Sequence, residues 1–349
     1  MAVKFTKPEI NVREKLAELD KPSGIAGEAM LRAETPQQQF NLIGAGRRNL
    51  IINGGMDVWQ RGTSITGSAV TYGPDRFKGY GYASNGVTLS RQVNTSDSFN
   101  SPYFTRILST TNRIWFEQLV EGIKQFSNQT LTLSFWAKSS DSAHLDKVEI
   151  RSTGSGYYDT PINTTVSNVW QKFTVTFTVD DHSSRTPADT DYLGLTIVTT
   201  NPCTLDIAEV QLEVGKFATP FEHRLVGEEL ALCQRYFYKS PSSTGYMFTM
   251  TGVHATLGEI QYFPPVTMRT TPTVVLNDAS PYWEVYPWNT VGNDSIHITS
   301  IHSGHMTPDG HGQVGVFFSG TTGSYVTPNL VRGTNYVIQA DFISFNADL

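Results

Sequence analysis

Apolar and polar residues alternate one by one along several segments in the middle of the chain. These segments run through residues 131–137, 173–179, 193–197 and 205–212. A period of two sends successive side chains to opposite faces of an extended strand, so each segment predicts a half-buried β-strand. Turn sequences rich in Ser, Gly and Asp separate the segments. The pattern predicts a jelly-roll β-sandwich over residues 47–225, with an irregularity in its last strand near Ala208.

The composition supports a mainly β protein with aromatic cores. Charged residues make up 17% of the chain and hydrophobic ones 39%, while 15 Tyr and 19 Phe supply core volume. The formal net charge of -6 argues against a nucleic-acid partner, because phosphate binding needs a basic face. Cys203 and Cys233 do not make a disulfide framework, which predicts folding in a reducing cytoplasm. The first residues lack an apolar signal region and no apolar run is long enough to span a bilayer, so we expect no membrane insertion.

Residues 1–46 differ from the rest because they are charged, helix-prone and poor in aromatic residues. Capping sequences predict two short helices, and Val12, Leu16 and Leu19 fall on one face of the first. Helices this short cannot bury a core of their own, so they need another surface to pack on. We therefore predict an anchor that docks on another subunit, and the alternative is a frayed terminus.

A second change of pattern separates the sandwich from the last part of the chain. Leu230, Cys233 and Phe237 follow helical spacing, and two glutamates lie in the first turn, where the helix dipole favours anions. This spacing predicts one short linking helix over residues 226–240. Strand and turn signals then return, which predicts a distal C-terminal β-sandwich domain over residues 241–349.

The sequence carries no motif of a common enzyme class. It has no GxSxG, P-loop, HExxH or CxxC sequence, so we expect no enzyme and no cofactor. Its carboxylates are scattered through turns, and sequence order cannot reveal a facing pair such as a glycosidase needs. His302 and His305 are weak metal candidates within a late group of four histidines, since no Cys or carboxylate joins them at ligand spacing.

Aromatic residues occur in two different settings. Trp136 and Trp170 lie within alternating strand segments, which favours a place in the core. Another group lies in a stretch broken by two prolines, which predicts an edge strand or a loop. That stretch provides five candidate glycan-binding residues: Tyr282, Trp283, Glu284, Tyr286 and Trp288. Exposed rings of this kind contact either flat sugar faces or another subunit, and both interpretations stay open.

Several stretches resemble a recurring module of tailed-bacteriophage tail fibre or virion fibre proteins. They are NLIINGGMDVWQRGTS at 49–64, YGPDRF at 72–77, LTLSFWAKSS at 131–140, WQKFTVTFTV at 170–179 and AEVQLEVGKFATPFEHRLVGEELALCQRYFY at 208–238. The resemblance covers about residues 48–240, and its closing stretch is the most specific part. Residues 131–212 are also similar to carbohydrate-binding jelly-roll modules, and residues 263–276 resemble the start of a distal fibre domain.

The resemblance implies a homotrimeric structural protein of the virion. It would attach to another virion protein through residues 1–46 and to a host-surface glycan or other receptor through its distal region. Carbohydrate-binding jelly rolls often hold a calcium ion, for which Asn53 and Asp206 would lie at ligand positions, although paired acidic residues are missing around Asp206. Two alternatives stay open: a capsid decoration or head fibre protein without a receptor role, and a glycan-degrading tail spike. The spike would need a long repeated β-helix, and the sequence shows no such repeat.

Overall fold

The N-terminal part of the structure, a computed structural model, consists of twelve strands. The residues described are 48–67, 70–81, 86–111, 113–152, 156–240, 246–254, 257–262, 264–270, 272–276, 284–287, 300–304, 314–319, 335–340 and 343–348. The N-terminal strands are β1 (Ser64–Gly67), β2 (Thr71–Tyr72), β3 (Lys78–Gly81), β4 (Val87–Val93), β5 (Tyr103–Ser109), β6 (Ile114–Glu121), β7 (Thr130–Ser139), β8 (His144–Ser152), β9 (Gly156–Thr165), β10 (Gln171–Thr178), β11 (Tyr192–Thr199) and β12 (Cys203–Val214). A short 3-10 helix, Ile123–Phe126, lies between β6 and β7.

These strands form two six-stranded antiparallel sheets. Sheet A has the order β1-β4-β5-β12-β7-β10, and sheet B has the order β2-β3-β6-β11-β8-β9. Strands that are consecutive in the chain often lie in different sheets, because the chain crosses repeatedly from one sheet to the other, as in a jelly roll. The predicted fold class is confirmed: the protein is mainly β, with a jelly-roll β-sandwich.

The main core lies between the inner faces of the two sheets. The alternating segment of β7 places Leu131, Leu133 and Phe135 there, each at most 1% exposed. Sheet B contributes Phe116, whose ring stacks on that of Phe77 with centroids 4.9 Å apart. Full burial of side chains of this size stabilises the fold by roughly 1.5–3 kcal/mol each. The alternation that predicts the strands is therefore also the source of much of their stability.

Strand β12 contains the irregularity that its sequence predicts. Its register with β7 shifts between Ala208 and Gln211. Glu209 lies within this bulge and has a φ of 46°, in the left-handed region that non-glycine residues rarely adopt. The extra residue of a bulge bends the strand and redirects its side chains, which explains why the alternation breaks at this point.

A single α-helix of the described residues follows the sandwich. This helix, α1, spans Val226–Gln234 and is shorter than the predicted helix over 226–240. Phe237 does not extend it, because Phe237–Lys239 forms strand β13 and pairs with residues near the C-terminus. Helical spacing is a local signal, whereas this strand pairing joins distant parts of the chain, and here the distant pairing prevails.

The buried side of α1 is partly charged. Glu229 and Cys233 are buried, whereas Leu230 is only partly buried. The Glu229 carboxylate accepts hydrogen bonds from the backbone N–H of Asn53 and, over 3.2 Å, from Nη1 of Arg224. These bonds attach the start of the helix to the sandwich.

Over the described ranges, no helix is long and apolar enough to cross a bilayer.

The distal part of the chain is also built from antiparallel sheets. Its strands are β14 (Tyr246–His254), β15 (Leu257–Tyr262), β16 (Thr273–Leu276), β17 (Glu284–Pro287), β18 (Ser300–Gly304), β19 (Val314–Ser319), β20 (Asn335–Ala340) and β21 (Ile343–Asn346). A three-stranded sheet has the order β13-β21-β16, and a six-stranded sheet has the order β17-β20-β14-β15-β19-β18. The prediction of a second β region is therefore confirmed.

The chain leaves the jelly roll and returns to it at the same place. Strand β13 lies directly beside β21, so the two ends of the distal region are hydrogen-bonded to each other. The Asp348 carboxylate, just after β21, forms ion pairs with Arg61 and Arg76 of the jelly roll. Nε of Arg269 donates to the carbonyl of Ala347 over 2.9 Å. This junction fixes the end of the chain to the sandwich.

Candidate functional site

The outer face of sheet B carries an unusual mixture of aromatic and charged side chains. Its strands send alternate residues into the core, so the other half of each strand faces away from the core. In β6, Ile114 and Phe116 are core residues, whereas Trp115 and Glu117 lie on the outer face. In β8, Ile150 is in the core and its neighbours lie on the outer face. The paired strands bring these outward residues together.

Two aromatic rings form one side of this face. Tyr80 of β3 pairs directly with Trp115 of β6 in the strand register. Their rings are nearly parallel, with an interplanar angle of 4° and centroids 5.7 Å apart, and both side chains are partly exposed. The Arg113 guanidinium lies 4.6 Å from the Trp115 ring centroid. Parallel rings held by paired strands give a rigid apolar surface.

A buried, ion-paired carboxylate lies next to the rings. Glu117 is only 1% exposed. Its Oε2 lies 3.3 Å from Nζ of Lys78, and its Oε1 contacts the Arg151 guanidinium and accepts a hydrogen bond from the Thr196 hydroxyl over 3.4 Å. A buried carboxylate is costly unless it is paired, so these partners keep Glu117 in place. Glu117 in turn orients the two cations that flank it.

A second ionic group lies on β8 and β9. Nζ of Lys147 lies 2.7 Å from Oδ2 of Asp159 and 3.7 Å from Oε2 of Glu149. Burial raises the pKa of Glu149, and Lys147 opposes that rise. Nε of Arg151 lies 4.0 Å from Oε1 of Glu149, so this group joins the one around the buried carboxylate. The outer face therefore presents hydrogen-bond donors and acceptors in fixed positions.

Gly194 of β11 lies where neighbouring side chains fill the space that its own side chain would need. A Cβ atom at this position would lie 2.9 Å from Cδ2 of Leu119, 3.4 Å from Cβ of Arg151 and 3.5 Å from Oε1 of Glu117. The absence of a side chain lets Glu117 and Arg151 approach each other over β11.

These groups suit the recognition of a flat molecule with many hydroxyl groups. Aromatic rings can pack against the C–H faces of a sugar ring. Arginine and carboxylate side chains can each make two hydrogen bonds to neighbouring hydroxyls. Ion pairs across the sheet restrict the motion of these side chains, so less conformational entropy is lost when a ligand binds.

Sequence patterns favour a core position for Trp136 and Trp170, and the structure packs both against a hydrophobic cluster without burying them fully. Both are partly exposed and lie on the outer face of sheet A. They pack on a small cluster of Phe99, Phe104 and Ala208 that is separate from the main core. The partial exposure of the two indoles was not predicted, because alternation shows that the two faces of a strand differ without showing how fully each face is covered.

The distal glycan candidates are only partly within the described residues. Glu284 and Tyr286 belong to β17, which lies at the edge of its six-stranded sheet, as the two prolines predict. Three other candidates lie outside the described residues: Tyr282, Trp283 and Trp288. The glycan-binding role of this stretch stays a prediction.

The remaining predicted sites have different outcomes. The anchor residues, Val12, Leu16 and Leu19, lie outside the described residues, as does His305. His302 lies in β18, another edge strand. These placements leave both the anchor and the weak metal candidates as predictions.

Asn53 and Asp206 do not form the calcium site that the resemblance suggests. Nδ2 of Asn53 donates to the carbonyls of Val58 and Asp75 over 2.8 and 3.0 Å. Both carboxylate oxygens of Asp206 are bonded to the Arg106 guanidinium, over 2.8 and 2.9 Å. Within the described part of the chain, no group of three or more His, Cys, Asp or Glu side chains is placed to hold a metal.

No protein-family model and no curated protein sequence matches this chain. Several solved structures have a similar fold over part of it. The CBM22-1 xylan-binding domain of Paenibacillus barcinonensis Xyn10C is 15% identical and covers 44% of this chain and 95% of its own, with a TM-score of 0.30. The enzymatically active domain of tailspike protein 4 of bacteriophage CBA120 is 15% identical and covers 48% of this chain and 21% of its own, with a TM-score of 0.31.

A third similar structure is an enzyme. The Stig cyclase Fisc from Fischerella sp. TAU is 15% identical and covers 50% of this chain and 98% of its own, with a TM-score of 0.31. Similarity at this level carries no conclusion about a ligand or a reaction of this chain.

Proposed function

We propose that this chain is a non-enzymatic carbohydrate-binding protein and that the outer face of sheet B contacts the sugar. The observation that carries the proposal is the parallel Tyr80–Trp115 pair beside the buried, ion-paired Glu117. An outer sheet face that contacts only water has no evident use for two large aromatic rings and a buried carboxylate. Ligand-binding surfaces commonly combine aromatic side chains with a few polar groups in fixed positions.

The same geometry indicates how the sugar would be held. One pyranose ring would lie against Tyr80 and Trp115, with its hydroxyl groups directed toward Arg151 and Glu149. Each ring contact contributes on the order of 1 kcal/mol beyond the area it buries, so affinity for a single sugar would be modest. Binding of a glycan chain would depend on several sugar units along the face.

Substitution of one ring tests this proposal. We expect Trp115→Ala to weaken glycan binding by about tenfold, which corresponds to ~1.4 kcal/mol. Trp115→Phe should retain most of the affinity, because it keeps an aromatic ring. Binding would be measured on an array of bacterial surface glycans, with purified variants whose thermal unfolding matches that of the original protein.

The control variant is Phe217→Ala, which removes a ring that is 46% exposed and lies outside this face. It should bind as the unchanged protein does. The proposal fails if Trp115→Ala and Phe217→Ala bind equally well, or if no glycan binds to the unchanged protein.

A second candidate function, glycan hydrolysis, has one observation in its favour. Glu117 and Glu149 both lie on the outer face of sheet B, and burial raises the pKa of Glu149, as in general acids of glycosidases. We propose binding rather than hydrolysis, because cations pair with both carboxylates. New reducing ends, formed by the unchanged protein and not by Glu149→Gln, would establish hydrolysis instead.

Within the same proposal, the chain is a homotrimeric fibre protein of a tailed-bacteriophage particle. The basis is the sequence resemblance over about residues 48–240, together with the apolar stripe at Val12, Leu16 and Leu19. Light scattering should give three times the mass of the chain. Deletion of residues 1–40 should leave a folded trimer that does not join particles. A monomer at micromolar concentration, or normal incorporation of the truncated protein, would contradict this role.

Attachment to the tail or to the capsid is a separate question. Labelled antibody on purified particles would distinguish a tail fibre from a head fibre or capsid decoration.

The distal stretch that contains Glu284 and Tyr286 is a further proposed glycan contact, supported by its place in an edge strand with two prolines nearby. Trp283→Ala and Trp288→Ala should reduce host-cell binding while the trimer stays intact.

A further inference from the structure

The outer face of sheet A carries an aromatic cluster of its own, on the opposite side of the sandwich. Phe99, at 5% exposed, and Phe104, at 6%, form its buried base. The Trp170 ring stands edge-on to both, with centroids 4.8 Å from Phe99 and 5.1 Å from Phe104. The Trp136 ring lies 6.3 Å from Phe99. Trp136 and Trp170 are both partly exposed, so the cluster has an open side.

Charged groups lie beside the two indoles. Nζ of Lys138 is 4.8 Å from the Trp170 ring centroid and 3.8 Å from Oδ2 of Asp206. Asp206 is also bonded to the guanidinium of Arg106, whose side chain is 41% exposed. The partners of Asp206 in the register of sheet A are Arg106 and Lys138. A row of donors and acceptors therefore runs across three strands next to the rings.

A strained residue holds the loop that supports the cluster. Glu209, 6% exposed and with a φ of 46°, accepts hydrogen bonds from the backbone N–H groups of Asn100 and Ser101 over 2.9 and 3.0 Å. These residues follow Phe99 directly. Backbone strain in a non-glycine residue persists only where the surrounding structure maintains it, and it occurs often at binding sites. The bulge therefore positions Phe99 against the indoles.

We propose that this cluster is a second saccharide-binding surface, in which a pyranose ring stacks on Trp136 and Lys138 donates to its oxygen atoms. The inference rests on the proposed function and extends it to the opposite face of the sandwich. If the cluster had only a structural role, we would expect the indole rings of Trp136 and Trp170 to be buried. Here Val169, next to Trp170, is 63% exposed, and both indoles reach the surface.

Calorimetric titration tests the second surface through its stoichiometry. The probes are cellohexaose, xylohexaose and a hexagalacturonate, each titrated into the full-length protein. We expect two saccharides per chain for at least one probe. Trp136→Ala and Trp115→Ala should each leave one saccharide per chain, and the double variant should leave none. Lys138→Gln should weaken one of the two sites by about tenfold, which is ~1.4 kcal/mol.

Lys138→Gln provides a variant that should still fold, since it keeps all the rings of the cluster and the Lys138 side chain is 29% exposed. One saccharide per chain, abolished by Trp115→Ala and unaffected by Lys138→Gln, would overturn the second surface and leave the proposed function intact. Two saccharides per chain that are both insensitive to Trp115→Ala would overturn the proposed site on sheet B. Absence of binding to all three probes would overturn the second surface, whereas the proposed function is decided by the array of bacterial surface glycans.

Discussion

Asp75 shows how a single buried carboxylate influences the stability of this protein. It is fully buried, and its Oδ1 accepts a hydrogen bond from the backbone N–H of Gln60 over 2.9 Å. Burial raises the pKa of Asp75 to about 6, although Gln60 and Arg61 oppose the rise. The ionised form is therefore less stable in the folded protein than in the unfolded chain.

This pKa predicts a specific dependence on pH. Between pH ~4 and ~6 the folded protein binds more protons at Asp75 than the unfolded chain does, so this group favours folding most at low pH. Its contribution is lost as the pH rises through about 6. The difference in free energy of unfolding, Asp75→Asn minus the original protein, should therefore become more positive by roughly 2–3 kcal/mol between pH 4 and pH 7.

Urea unfolding of both proteins at several pH values would measure this difference. Asp97→Asn, at an exposed aspartate, serves as the control and should show no such change. A constant difference between Asp75→Asn and the original protein would show that the pKa of Asp75 is not raised.

At the scale of elements, β12 connects the core to the outer face of sheet A. Its inward residues, such as Leu205 and Ile207, have no exposed surface. At its bulge, the Glu209 carboxylate holds the loop before β5 by accepting hydrogen bonds from two backbone N–H groups. One strand therefore stabilises the sandwich and also shapes a surface outside it.

Glu209→Ala should remove the acceptor for these bonds and leave the backbone N–H of the buried Ser101 without a partner, whereas Asn100 is exposed to water. We expect a loss of about 1–3 kcal/mol in the free energy of unfolding, the cost of one unsatisfied buried donor. Amide hydrogen exchange at Asn100 and Ser101 should become faster. Glu228→Ala, at an exposed glutamate of α1, is the control. Unchanged exchange at both amides would mean that other contacts hold the loop.

Much of the sandwich could be predicted because strand alternation is a local signal. The inward positions of β7 and the irregularity near Ala208 both follow from residues adjacent in sequence. The ionic group of sheet B was not predicted, because Lys78, Glu117 and Arg151 lie on three separate strands. The alternation of charged and aromatic residues with apolar ones in β6 and β8 was the signal available. Only the strand order brings those residues together.

At the scale of the whole molecule, the last residues join the distal region to the jelly roll. Asp348 lies between the guanidinium groups of Arg61 and Arg76, and all three side chains are at most 14% exposed. The Arg76 guanidinium also lies 3.4 Å from the Tyr236 ring centroid, and that of Arg61 lies 3.5 Å from the Phe237 ring centroid. Charge pairing and ring contacts thus act on the same junction.

Asp348→Ala should leave two buried guanidinium groups without their carboxylate. Breaking a buried ion pair by removing one partner costs about 3–5 kcal/mol, so we expect a loss of that order in the free energy of unfolding. Asp97→Ala, at an exposed aspartate, should change it by less than about 0.5 kcal/mol. If calorimetry shows equal melting temperatures for Asp348→Ala and Asp97→Ala, the junction does not depend on this carboxylate.

The pairing of β13 with β21 also has an evolutionary consequence. Because both ends of the distal region meet side by side, the jelly roll holds that region at its start, at its end and at Arg269, which donates to the carbonyl of Asp189 over 2.8 Å. Insertions, deletions or recombination between Lys239 and Ile343 can then replace the intervening sequence while the ends stay in register. A lineage under changing selection could exchange its distal sequence in a single genetic event and keep the same jelly roll.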